Sequence, residues 1–139
     1  MAADISSKLR ELVRERAKYR CEYCLMPEFA TLHKHEPDHI VPRQHGGKTD
    51  AQNLALACMR CNRFKGTNVG SFDPLTGDLV PFFDPRTQVW KEHFLLEKAR
   101  IEPLTAEARV TLKILRINDD YRILERETLQ KSGFVYFTD

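Results

Sequence analysis

The sequence predicts an α+β chain: a small mixed core with cysteine knuckles, a helix ahead of it and a mixed extension behind it. Three observations carry this. Apolar residues recur at helical spacing near both ends, as Ile5, Leu9, Leu12, Val13 and Ala17, and as Ala106, Val110, Ile114 and Ile117. Between them, residues 20–66 hold only short apolar runs, broken at Pro27, Pro37, Pro42 and Gly46-Gly47. Two C-x-x-C pairs, Cys21/Cys24 and Cys58/Cys61, bracket that stretch.

Length and composition set the frame. A chain of 139 residues suits one domain with an extension. With 42% hydrophobic and 30% charged residues it reads as folded rather than disordered. A net charge of +2 is by itself weak evidence for a nucleic-acid partner, so local clustering of cations matters more. No apolar run approaches the roughly 18 residues that span a bilayer. The start, Met1-Ala2-Ala3-Asp4-Ile5, lacks the basic and apolar regions of a secretory signal, so the expected location is the cytoplasm. Paired cysteines in a reducing compartment favour zinc over disulfides.

The elements follow in order. A helix is expected over 6–18 with Ser6 as N-cap. Its other face carries Arg10, Arg14, Arg16 and Lys18 among Glu11 and Glu15, which fits a solvated face with i,i+4 pairs better than phosphate contact. After the first knuckle, 29–35 is expected to be a short strand that Pro37 ends or bulges. A second strand is expected over 38–41, then a loop over 43–50, a short apolar piece over 51–57, the second knuckle, and a short helix near 62–65 stopped by Gly66. From Thr67 the character changes. Asp73-Pro74-Leu75-Thr76-Gly77-Asp78 predicts a hairpin turn, and Asp84-Pro85-Arg86 another turn. Residues 90–96 fit a strand or a helical turn equally. Thr105 is the expected N-cap of a helix to about Ile117, and Asn118 or Asp119 caps a last helix to about Lys131, with Gly133 at its C′ position. Phe72, Phe82, Phe83 and Trp90 read as packing for this extension. The expected organisation is thus 1–66 as core and 67–139 as an extension packed on it.

Four cysteine sulfurs in two knuckles suit a tetrahedral zinc with no open position, which makes that ion structural. The 33 residues between Cys24 and Cys58 exceed a minimal zinc ribbon, so the insert carries something more. It carries Asp38-His39. A carboxylate is a hard ligand suited to magnesium or manganese, and an imidazole titrates near neutrality and can take a proton from water.

Together, Asp38-His39-Ile40-Val41-Pro42, Gly46-Gly47, Asn53-Leu54 and Cys58-Met59-Arg60-Cys61-Asn62-Arg63-Phe64-Lys65 resemble the HNH endonucleases over about residues 20–66. The nearest form is the four-cysteine branch of bacterial and phage members. The resemblance implies a ββα-metal core, also called a His-Me finger. It implies hydrolysis of DNA phosphodiesters with one catalytic Mg2+ or Mn2+, giving 5′-phosphate and 3′-hydroxyl ends. Carried over by residue, it makes Asp38 a ligand of the catalytic ion and His39 the general base. Asn53 holds the loop that orients His39. Asn62 is the second ligand, where many members have histidine, so this is an H-N-N variant.

Cations concentrate around this stretch. Arg43, Lys48, Arg60, Arg63 and Lys65 are the expected contacts to a nucleic acid, double-stranded DNA foremost, and such contacts carry no base information. His35 shares one side of the expected strand with His33 and could reach the site, though an exposed strand histidine is the commoner situation. His45 beside Gly46-Gly47 could touch a phosphate or the ion. The rival function is a zinc-ribbon module that binds nucleic acid without cleaving it, and that reading does not need Asp38, His39 and Asn62.

Overall fold

The computed structural model describes residues 5–137. Helix α1, Ser7–Arg16, starts where Ser6 Oγ accepts the Leu9 amide at 3.1 Å. Two short strands follow, β1 at Glu36–His39 and β2 at Leu54–Ala57, antiparallel with Asp38 opposite Ala55 and His39 opposite Leu54. Helix α2, Met59–Lys65, comes directly after β2, with Cys58 as its N-cap and Gly66 at its end. Strand, strand and helix are therefore consecutive packed pieces.

Every residue of β2 is buried. Leu54 and Leu56 pack with Ile5 and Val13 under α1, while Ala55 and Ala57 join the larger core on the other face. A strand covered on both faces reads as a continuous apolar run, which is why Leu-Ala-Leu-Ala shows no alternation. The arginines of α1 are not idle on the surface. Arg16 donates to the Ala51 and Leu54 carbonyls at 2.8 and 2.7 Å, and Arg14 pairs with Glu28. That face ties the helix to the core.

Residues 29–35 do not form the expected strand. A 3-10 turn at Glu28–Ala30 is followed by bends, with Thr31 Oγ1 donating to the Glu28 and His33 carbonyls. Glu28 then accepts the His35 amide at 2.8 Å and closes the loop. These local bonds replace the ladder a strand would need. Pro37, expected to break pairing, sits within β1. Its opposite residue, Leu56, gives its amide to Glu22 Oε2 and receives the Glu22 amide on its carbonyl, both at 2.8 Å. The ladder therefore asks nothing of the missing Pro37 N–H.

The extension consists of two hairpins and two longer helices. Strands β3, Gly70–Phe72, and β4, Leu79–Pro81, flank the expected turn. Residues 90–96 are both alternatives in succession: a helical turn α3 at Trp90–His93, then β5 at Phe94–Glu97, paired with β6 at Arg100–Pro103. Helix α4, Ala106–Ile114, is capped by Thr105, whose Oγ1 accepts the Ala108 amide at 3.2 Å, and α5, Asp120–Lys131, follows. One apolar cluster runs from Cys21, Tyr23 and Ala55 through Phe83, Phe94 and Ile101 to Val110 and Ile117, so the two halves share a core. Phe72 is the exception among the expected packing aromatics, being 60% exposed. Trp90 Nε1 donates to the Tyr23 carbonyl at 2.9 Å, and Arg86 pairs with Glu22. Among the described residues no helix is long and apolar enough to cross a membrane.

The first hairpin is clamped to α4. Asp73 accepts Arg109 at 2.8 and 2.9 Å, together with Thr76 Oγ1 and the Leu75 amide. The Arg109 guanidinium holds the Asp73 carboxyl well below the usual carboxylate range. A carboxyl more acidic in the folded state stabilises it fully above the unfolded value, about 3.9, and loses that contribution as pH falls below it. Asp73→Asn should lower the melting temperature at pH 7, and the gap to the parent should hold down to about pH 4 and begin to narrow toward pH 3. Thermal melts of both proteins across that range check this.

Candidate active site and zinc centre

The C-x-x-C spacing works because each knuckle turns its first sulfur back onto its own chain. The Cys24 amide donates to Cys21 Sγ and the Cys61 amide to Cys58 Sγ, both at 3.4 Å. The two knuckles face one another, and the four sulfurs lie within 4.8 Å of one another, all buried. Cys24 and Cys58 sulfurs are 3.6 Å apart, far beyond the roughly 2.05 Å of a disulfide. Zinc–sulfur bonds of about 2.3 Å in a tetrahedron put sulfurs a little under 4 Å apart, so the cluster fits a structural zinc ion. Burial pushes the Cys21 and Cys61 thiols well above their ordinary range, a penalty that a bound dication removes.

The extension contributes to this centre. Arg122 of α5 is buried and donates to Cys61 Sγ at 3.1 Å and Cys58 Sγ at 3.8 Å, while its other nitrogen holds the Leu115 carbonyl at 2.8 Å. Burial disfavours the Arg122 charge, but the cysteine sulfurs outweigh it and hold the guanidinium protonated. Four thiolates and one zinc carry a net charge of −2, and Arg122 offsets half of it. Sequence reading missed this residue, since nothing local marks an arginine on a helix some 60 positions away.

The second centre is a cleft of about 310 Å³. Asp38, His39 and Asn62 all line it, with Arg43, Gln44 and Thr67 at its walls. Asp38 and His39 are successive residues of β1, whose side chains leave a strand on opposite faces. Asp38 is 6% exposed, and its Oδ2 accepts from Lys65 Nζ at 3.0 Å and from the Tyr23 hydroxyl at 3.3 Å. Burial raises the Asp38 carboxyl, and Lys65 opposes that shift. His39 Nε2 lies 2.8 Å from Thr49 Oγ1. Asn62 is exposed on α2.

Asn53 closes the loop between β1 and β2. Its Oδ1 accepts the Val41 amide, and its Nδ2 donates to the Val41 and Lys48 carbonyls, all at 2.9 Å. Gly47 passes so close that a Cβ there would fall 1.6 Å from the Val41 carbonyl oxygen. The second glycine is thus required by the approach of two backbones, and the first, Gly46, by a positive φ of 90°.

The expected cation set divides. Arg43, Lys48 and Arg63 are exposed, and Arg43 lines the cleft. Arg60 turns to α5, pairing with Glu125 and lying 4.7 Å from the Tyr121 ring centroid. Lys65, expected to meet phosphate, is 1% exposed and spent on Asp38, so that expectation is corrected. His35, expected either to be an exposed strand residue or to reach the site, is fully buried, its Nε2 against the Met26 carbonyl at 2.7 Å. His45 holds the Thr67 carbonyl at 3.0 Å and so joins the loop to the segment after α2.

Comparison with known proteins agrees with this geometry. The HNH endonuclease family model matches residues 21–68, which hold both knuckles, β1, β2 and α2. A CRISPR-associated endonuclease Cas9 of Corynebacterium diphtheriae is 43% identical over 53 residues, 37% of this chain and 5% of that protein. The chain thus corresponds to a small fraction of that relative's length. No solved structure gives a significant match. Residues 21–68 carry an HNH-family domain.

Proposed function

We propose that this chain is a divalent-metal-dependent endonuclease that hydrolyses DNA phosphodiester bonds. The observation that supports it most is the convergence of Asp38, His39 and Asn62 on one cleft inside the HNH-family stretch. The matched relative is itself an endonuclease by name.

Asp38 and Asn62 offer a carboxylate and an amide oxygen, hard donors that suit Mg2+ or Mn2+. Both hydrogen bonds on Asp38 use Oδ2, and among the described residues Oδ1 accepts none, which leaves it for a cation. Such an ion, when bound, supplies charge neutralisation at the phosphate and stabilisation of the leaving 3′ oxygen. The remaining work belongs to the chain. His39 takes the proton of the attacking water. The 2.8 Å bond between His39 Nε2 and Thr49 Oγ1 anchors one edge of the ring. Asn53 and Gly47 hold the loop that carries Thr49, so the ring keeps one orientation. Arg43, Lys48 and Arg63 meet the phosphate backbone, and the buried four-cysteine zinc centre fixes β2 and α2 against the first knuckle. The products are 5′-phosphate and 3′-hydroxyl ends.

Supercoiled plasmid incubated with protein and Mg2+ should be nicked or linearised, and EDTA should stop it. The rate should fall as pH drops from neutral into the acid range, because a protonated base accepts nothing. Binding without cleavage at any pH or divalent ion would leave the zinc-ribbon binding module as the better reading. A rate flat from pH 5 to 7.5 would remove histidine as the base.

A further inference from the structure

Lys65 is 1% exposed, yet it carries a charge. Its ammonium meets Asp38 Oδ2 at 3.0 Å, the His39 carbonyl at 2.9 Å and the Ile40 carbonyl at 3.2 Å. An ammonium has three donors, and these acceptors use all of them. A buried ion pair is weak evidence for stability, since an apolar side chain of the same length often packs as well. The choice of acceptors is more telling. One belongs to the proposed metal ligand, and the other two are the carbonyls of the proposed base and of the residue after it. Asn62, the other proposed ligand, stands one turn earlier on the same helix. Tyr23, between the cysteines of the first knuckle, takes the same Asp38 oxygen from its own side.

We infer that Lys65 is a positioning residue: it joins α2 to β1, holds Asp38 by Oδ2 so that Oδ1 is presented to the cleft, and pins the backbone of His39. It meets neither phosphate nor reacting atoms. The inference rests on the reading of Asp38 as a ligand, and it runs against simple charge arithmetic. An ammonium 3.0 Å from a ligand carboxylate repels a dication, so removing it should tighten metal binding if repulsion were its main effect. Removing a residue that orients a ligand should weaken binding, by about tenfold or more on the scale of outer-sphere partners.

The test is Mn2+ binding without DNA, by calorimetry or loss of the free-ion EPR signal, on the parent and Lys65→Met. Zinc content and Trp90 emission report whether the variant is folded. About tenfold weaker Mn2+ binding is expected. DNA affinity measured without divalent ions should stay within about twofold, with an unchanged salt slope. Equal or tighter Mn2+ binding overturns the inference, as does a salt slope lower by about one, which marks a phosphate contact. If Lys65→Met does not fold, Lys65→Arg keeps the charge but not the fit of one ammonium to three acceptors, and Mn2+ binding weaker by about twofold to threefold is expected. Unchanged binding in that variant overturns the inference equally. A parent protein that binds no Mn2+ overturns both this inference and the ligand role of Asp38. A parent that binds Mn2+ and cuts DNA, beside a Lys65→Met variant that does so equally well, overturns only the role of Lys65.

Discussion

Cys58→Ser should release zinc and unfold the core rather than merely weaken it. Cys58 is both a ligand of the four-sulfur centre and the N-cap of α2, its sulfur accepting the Cys61 amide at 3.4 Å. Structural zinc in small domains contributes about 10–16 kcal/mol of apparent binding energy at neutral pH, more than the net stability of most domains. Serine keeps the cap but replaces a soft thiolate with a poor zinc ligand. The remaining sulfurs and Arg122 would then sit buried around an incomplete ion. The parent should hold one zinc per chain by elemental analysis, and the variant none. The single tryptophan gives a second readout, because Trp90 Nε1 is bonded to the Tyr23 carbonyl inside the first knuckle. Its emission should shift to the red in Cys58→Ser and in parent protein stripped by a strong chelator. A zinc-free parent with unchanged Trp90 emission would remove the ion from the account of stability.

Much of this was legible in the chain. Helices α1 and α4 announced themselves by caps and period, Ser6 and Thr105 capping as their chemistry demands, while α5 starts after the expected Asp119 although that side chain makes no capping bond. The β3–β4 turn was written in Asp73-Pro74-Leu75-Thr76-Gly77-Asp78. The β5–β6 hairpin was not legible, because its turn lacks an Asn-Gly or Asp-Gly pair. Lys98 adopts a φ of 58° there instead, Ala99 is buried beside it, and its carbonyl is held by Arg126 Nε at 2.6 Å. Long-range bonds from α5 impose that turn, and no local rule reports them. The misread strand at 29–35 fails for a related reason. Its residues alternate acceptably, but its hydrogen bonds close on Glu28 and Thr31 rather than on a partner.

Asp38, His39 and Asn62 line one cleft, while burial takes Lys65 and His35 away from the roles expected of them. Lys65 and Arg63 look alike in sequence, two positions apart on α2. Arg63 faces solvent and Lys65 the core, because a helix advances about 100° per residue and α2 packs one side against β1 and β2. Tyr23 and Thr49, the partners of Asp38 and His39, were missed because only the fold brings them there.

His39→Ala should separate chemistry from binding most sharply. The side chain is half-buried and meets Thr49, while the neighbouring strand is held through backbone pairing and Lys65. Truncation should therefore leave the zinc centre, Mn2+ binding and DNA affinity nearly unchanged. Cleavage should fall by about two to four orders of magnitude, the scale of losing a general base. Asp38→Ala should behave differently, weakening the divalent ion so that raising its concentration restores part of the rate. It should also disturb the fold somewhat, since it leaves the buried Lys65 ammonium without its anion. Asn62→Ala, exposed and without that burden, is the cleaner test of the ligand role and should show the same partial rescue. Arg63→Ala should instead weaken DNA binding and flatten its salt dependence by about one unit of slope, with little change in the metal titration. Plasmid cleavage against metal concentration, with DNA binding followed in parallel, separates the base, the pair of ligands and the phosphate contact. If His39→Ala cuts at the parent rate, the base lies elsewhere in the cleft and the roles given to Thr49 and Asn53 go with it.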